Sequence, residues 1–173
     1  MLDVQSDMGP ALLLFAQAIT WQWAGPPAPQ GMYQAPRTVR AGTIECTFVY
    51  DDKAYTARTS CSQGGRELWH KVEARAFVDD TAFAIDNGTL YSARHGDISS
   101  GCTLHAFDVQ TGREKWTVNL TGLGPIAHSK YFNLVEARMI GGRIVVFGWE
   151  AAGRYIEARD PATGAMLAHQ LVP

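Results

Sequence analysis

Ala106-Phe107-Asp108-Val109-Gln110-Thr111-Gly112-Arg113-Glu114-Lys115-Trp116 is the stretch whose reading decides the fold. Asp108 is placed to accept hydrogen bonds from the turn amides that follow it, and Gly112 to take the left-handed conformation that closes a hairpin. Trp116 then offers a large flat ring to a neighbouring sheet, where its burial stabilises by a few kcal/mol. Ala106, Asp108, Thr111, Gly112 and Trp116 therefore read as structure, a turn followed by a packing ring, rather than as a reactive site.

The pattern recurs on both sides. Downstream, Ala158-Arg159-Asp160-Pro161-Ala162-Thr163-Gly164-Ala165-Met166-Leu167-Ala168 restates Asp108, Thr111 and Gly112 as Asp160, Thr163 and Gly164, 52 positions on, with Ala168 in the tryptophan's place. Upstream, Gly65-Arg66-Glu67-Leu68-Trp69 matches Gly112 to Trp116 at a displacement of 47. A third overlay sets Tyr55-Thr56-Ala57-Arg58 on Tyr91-Ser92-Ala93-Arg94, 36 positions apart, which assigns the second unit eleven extra residues between its landmarks.

From Thr38 onward, short runs rich in Val, Ile, Phe, Tyr and Thr alternate with Gly, Asp and Asn turn signals, which is the pattern of strands. Asn87-Gly88, between Phe83-Ala84-Ile85 and Leu90-Tyr91-Ser92, supplies the two positive-φ positions of a type I′ hairpin. Gly141-Gly142 does the same, and Asp51-Asp52-Lys53 marks a weaker third turn before Ala54-Tyr55-Thr56. Units of about 40–50 residues made of short strands predict a propeller or related repeat architecture. The expected fold is mainly β: an incomplete β-propeller-like array of about three four-stranded antiparallel blades, with an N-terminal helical segment. Residues 1–36 form the segment and its linker; 37–173 hold the repeats, at about 38–75, 76–122 and 127–173.

The A-x-D-x-x-T-G-x-x-x-W run of Ala106 to Trp116 resembles the tryptophan-docking blade signature of pyrroloquinoline-quinone-like β-propeller repeats. The resemblance covers roughly residues 45–173; the unit from Ala158 lacks the tryptophan, and the first unit keeps only Gly65 and Trp69. It implies a propeller fold and admits several functions. Members of that family include quinoprotein dehydrogenases, in which a complete ring holds the quinone and a calcium or lanthanide ion, and non-catalytic scaffolds and sensor domains. Three units are less than half of such a ring, and the adjacent cysteine pair of the dehydrogenases has no counterpart here. The resemblance also leans toward a periplasmic or secreted setting.

The chain has 173 residues, 46% of them apolar and 18% charged, which argues for a real core and against wholesale disorder. Fifteen Lys and Arg against seventeen Asp and Glu include no dense basic block, so a nucleic-acid footprint is not expected. The first 36 residues carry only Asp3 and Asp7, and the first cation is Arg37. Met8, Leu12, Phe15, Ile19 and Trp23 recur at helical spacing, opened by Asp7 and Pro10 and stopped by Gly25-Pro26-Pro27. Three readings stand for this segment: a helix packed on this protein or a partner, a targeting segment without its basic residues, or a membrane-surface anchor through residues 8–24. It is too short and too polar to span a bilayer. The Pro-rich stretch from Gly25 to Pro36 reads as an extended linker.

Cys46, Cys61 and Cys102 form no C-x-x-C pair, and one bridge with a free thiol stands beside three thiols. Cys61 and Cys102 fall in corresponding parts of neighbouring repeats, which makes that pair one candidate bridge. His70, His95, His105, His128 and His169 show no metal-ligand spacing. His95-Gly96-Asp97 reads as a solvated loop and Asp79-Asp80 as a turn before a strand. No catalytic residue, cofactor or metal is assigned. His128, Lys130, Tyr131 and Phe132, in the connection between repeats two and three, are the candidate contact surface.

An open blade stack exposes faces that a ring would bury, and so needs caps or neighbours. The expected function is a non-catalytic protein–protein interaction or scaffold subunit, with a protein partner or self-association completing the propeller. The alternatives are a small-molecule-binding or sensor module, and a fragment of a quinoprotein-type enzyme.

Overall fold

A computed structural model describes residues 37–75, 78–96, 102–123, 134–150 and 153–172. The N-terminal segment, and with it the expected helix, lies outside them. Among the described residues, twelve strands make three four-stranded antiparallel sheets, each built in chain order. The first holds β1 (Arg37–Ala41), β2 (Ile44–Asp51), β3 (Thr56–Gln63) and β4 (Arg66–Ala74). The second holds β5 (Val78–Asp86), β6 (Thr89–Gly96), β7 (Cys102–Asp108) and β8 (Glu114–Asn119). The third holds β9 (Leu134–Ile140), β10 (Arg143–Glu150), β11 (Gly153–Arg159) and β12 (Met166–Val172). Strand β1 lies against β5, and β5 against β9, so the first strand of each blade-like sheet is its inner edge. Strands β4, β8 and β12 form the outer rim. This is the expected mainly β array.

Glycine and asparagine shape the inner hairpins: Asn87 and Gly88 have φ of 45° and 69°, and Gly141 and Gly142 have φ of 57° and 71°. Asp51 Oδ1 accepts from the amides of Lys53 and Ala54 in the β2–β3 turn. Tyr55, expected in a strand, stands in that turn at φ 51°, and β3 starts at Thr56. The 36-position overlay fails for a related reason: it sets β3, the third strand of its sheet, on β6, the second of the next. The two runs share strand vocabulary, not position. The 47- and 52-position matches do join equivalent places, the approach to β4, β8 and β12.

Alternation along the strands divides the core into seams. Between sheets one and two, Cys46, Phe48, Ala57 and Cys61 meet Phe83, Leu90, Phe107 and Val109, with Phe48 and Phe83 edge to face at 6.4 Å. Between sheets two and three, Ala82, Ala84, Tyr91, Ala93, Leu104 and Ala106 meet Val135, Ala137, Ile144, Val146 and Tyr155. Val145, Phe147, Ile156 and Ala158 make a further buried cluster on the far side of sheet three.

The cysteines settle differently from the candidate pairing. Cys46 and Cys61 are register partners on β2 and β3 and are joined by a disulfide, Cα to Cα 4.1 Å. Cys102 is a free, buried thiol. It faces the second seam whereas Cys61 faces the first, so the repeat-to-repeat correspondence does not bring them together. Asp79-Asp80 is likewise no turn: both residues lie within β5, and Asp80 is buried.

Candidate functional site

The two inter-sheet seams hold the chain's concentrated chemistry, and each is fastened at the rim by a tryptophan. Asp108 Oδ1 accepts from the amides of Gln110 and Thr111 and from the Thr111 hydroxyl, at 2.9–3.1 Å. The Thr111 hydroxyl, foremost, holds the Asp108 carboxyl below its usual range. The Gly112 amide, at φ 68°, donates back to the Asp108 carbonyl. Trp69 of the preceding sheet lies over this turn: its Nε1 donates to the Val109 carbonyl at 2.7 Å. A Cβ on Gly112 would stand 2.6 Å from the Trp69 ring, so glycine is needed for close approach as well as for φ.

The second junction repeats the device. Asp160 Oδ1 accepts from the Ala162 and Thr163 amides and the Thr163 hydroxyl, and the Thr163 amide is the main cause of its lowered pKa. Trp116 Nε1 donates to the Pro161 carbonyl at 3.2 Å, and a Cβ on Gly164 would meet its ring at 2.8 Å. The Tyr91 hydroxyl donates to the same carbonyl. Ala106 is the register partner of Trp116.

Inside the seams Arg94, Glu157 and Arg159 are buried, and each bonds to a group of the neighbouring sheet or its exit. Arg94 on β6 donates through Nη1 to both oxygens of Glu73 on β4, at 2.7 and 2.8 Å, and through Nη2 to the Thr59 hydroxyl. In the second seam Glu157 is fully buried; it accepts from the Gly122 amide at 2.9 Å and from Arg159 at 2.6 Å. Arg159 also donates to the carbonyls of Asn119 and Gly164. This pair clamps the exit of β8 onto β11.

Asp80 joins all three sheets. Arg37 of β1 donates to its carboxylate at 3.1 and 3.3 Å, the Val135 amide of β9 at 2.8 Å, and the neighbouring Thr81 amide at 2.8 Å. Burial pushes its pKa from an ordinary 3.8 up to about 6, against the opposing pull of the Val135 amide and Arg37. Its register partner is His95. Far from a solvated loop residue, His95 is fully buried on β6; its Nε2 lies 2.6 Å from the Tyr155 hydroxyl, and the two rings stack at 5.8 Å. Tyr155 lies over Gly148, where a Cβ would stand 2.1 Å from its ring. Asp97 and the candidate contact residues His128, Lys130, Tyr131 and Phe132 lie outside the described residues.

Glu157, Arg159 and Tyr155 were not singled out as site residues from sequence, and Asp80 was read as part of a turn, yet a signal was present. Each falls in phase with the apolar residues of the seam-facing side: Asp80 with Ala82 and Ala84, and Glu157 and Arg159 with Tyr155. A charge at an inward position of a strand has to find a partner. Outside the seams, the turns of the first sheet form a shallow depression of about 170 Å³ lined by Arg40, Thr43, Glu45 and Ser62. That is smaller than the roughly 300–1,000 Å³ of ordinary small-molecule sites.

No family model matches the chain, and no curated protein matches it. Solved structures do. Quinohemoprotein alcohol dehydrogenase from Comamonas testosteroni is similar over 78% of this chain and 20% of its own length, with 16% identity and a TM-score of 0.50. A bifunctional GH43-CE protein of Bacteroides eggerthii is similar over 80% of this chain and 19% of its own, with 14% identity and a TM-score of 0.51. The fold is propeller-like. The chain spans about a fifth of the length of either structure, and at these identities the likeness is one of fold alone.

Proposed function

We propose that the chain is a non-catalytic protein–protein interaction module, built on propeller repeats of the pyrroloquinoline-quinone-like type. One observation carries this reading: the buried titratable groups of the seams are spent on holding sheets together. Asp80 accepts from three neighbours in three sheets, Glu157 from a backbone amide and Arg159, and His95 meets Tyr155. Groups so engaged fasten blades and leave recognition to the rim and the loops. The rim indoles seated on Asp-x-x-Thr-Gly turns support the repeat type. Within this reading His128, Lys130, Tyr131 and Phe132 stay the candidate contact residues, and the Cys46–Cys61 bridge suits an oxidising compartment such as the periplasm or the cell exterior.

The competing readings, a small-ligand module and a piece of a quinoprotein enzyme, both require a ligand that binds the folded state and raises its melting temperature. Thermal unfolding of the full chain is to be followed with pyrroloquinoline quinone and calcium, together and singly. An unchanged melting temperature is the expected result. A saturable rise would overturn the non-catalytic reading.

A further inference from the structure

Among the described residues, three surfaces of the array bear on association. The outward side of sheet one is charged around its two exposed apolar residues, Val49 and Val72, which flank Arg58 in register: Thr38 bonds Thr47, Arg40 pairs with Glu45, and Arg58 and His70 both pair with Glu67. Stacking a second copy there would strip water from these ion pairs. On the far side of sheet three, Val145, Phe147, Ile156 and Ala158 are 0–1% exposed, so that face is already covered. The third surface is the outer rim.

The three rim strands differ in the way that decides pairing. Strand β4 carries Arg66, Glu67, Lys71 and Glu73, and β8 carries Glu114 and Lys115, the charges by which edges refuse a new strand. Strand β12, Met166-Leu167-Ala168-His169-Gln170-Leu171-Val172, carries no Asp, Glu, Lys or Arg. Leu167 and Leu171 on it are 49% and 58% exposed, and Met166 is 50% exposed. Its sequence is also nearly symmetric about His169, with Leu167 and Leu171 two residues to either side and Met166 and Val172 three. An antiparallel pair of two such strands centred on His169 sets Leu167 of each copy opposite Leu171 of the other. It also sets Met166 opposite Val172. That self-complementarity is what a two-fold interface requires, and an unrelated strand would have no reason to match it.

We infer that β12 is a pairing edge for a second copy of this chain, joining two third sheets across a two-fold axis into one continuous eight-stranded sheet. The inference rests on the interaction reading above and names its partner.

Light scattering of the full chain over a concentration series is expected to show a species of twice the 18.9 kDa chain mass. Leu167→Lys and Leu171→Glu, each alone, should weaken the dimer, and the Leu167→Lys/Leu171→Lys double variant should raise its dissociation constant about a hundredfold by setting lysine opposite lysine. Mixing the Leu167→Lys chain with the Leu171→Glu chain should restore a dimer, because one contact becomes Lys–Glu and the other stays Leu–Leu. Misfolding would not be rescued by mixing. A wild-type chain monomeric throughout, dimers that survive the double substitution, or no rescue on mixing would each overturn the β12 pairing. None of these touches the ligand titration on which the non-catalytic reading stands.

Discussion

Gly88 and Gly112 have nearly the same φ, 69° and 68°, and different neighbours: a Cβ at Gly88 meets nothing within 4 Å, whereas one at Gly112 meets the Trp69 ring. Comparing them separates the conformational role of a left-handed glycine from its role in close packing. Gly88→Ala should destabilise by about 1–2 kcal/mol, the steric penalty of a side chain at positive φ. Gly112→Ala carries the same penalty and also displaces the indole, which adds roughly 1–3 kcal/mol of overpacking. Denaturant titration of the two variants is the measurement, and equal losses would remove Gly112 from the rim lock. Residues of this kind were legible in the sequence, since Asp108, Thr111, Gly112 and Trp116 act within a few positions of one another or through one large ring. His95 and Asp80 were not, because strand burial depends on which sheet lies opposite, and spacing does not carry that information.

Among elements, the β2–β3 hairpin is the one closed covalently. Its bridge spans a separation of 15 residues, for which loss of loop-closure freedom in the unfolded chain amounts to about 3 kcal/mol. A Cys46→Ala/Cys61→Ala variant is expected to lose stability of that order in chemical denaturation, while Cys102→Ala, which breaks no bridge, should lose less. A double variant with an unshifted midpoint would show that the bridge contributes nothing. Strands and hairpins were largely readable in advance: Asn87-Gly88 and Gly141-Gly142 turn where their glycines require. The β1–β2 turn at Gly42-Thr43 went unmarked because Gly-Thr is a weak turn signal and β1 has only five residues. The overlay of Tyr55 on Tyr91 failed because strands draw on few residue types, so a four-residue match fixes no position, while the longer Asp-x-x-Thr-Gly pattern recurs at equivalent turns.

At the scale of the whole molecule, one carboxylate holds three sheets in register, and its titration belongs to all of them. Asp80 has a folded pKa of about 6 against an ordinary 3.8, so the native state binds the extra proton between those values. The stability it contributes is fully present below about pH 3.8 and is lost as pH rises through about 6. From pH 7 to pH 5 the wild-type protein should therefore gain about 1 kcal/mol from this group, and the Asp80→Asn variant should lack that gain. Melting curves at the two pH values make the comparison; an identical pH dependence in both proteins would dismiss Asp80 as its source. The disulfide also acts at this scale. Cys46 and Cys61 are 0% and 1% exposed and face the second sheet across the first seam, so a dissolved reductant finds no sulfur on the closed array. Its rate of attack becomes a clock for separation of the first two sheets, and the bond breaks only as often as that door opens.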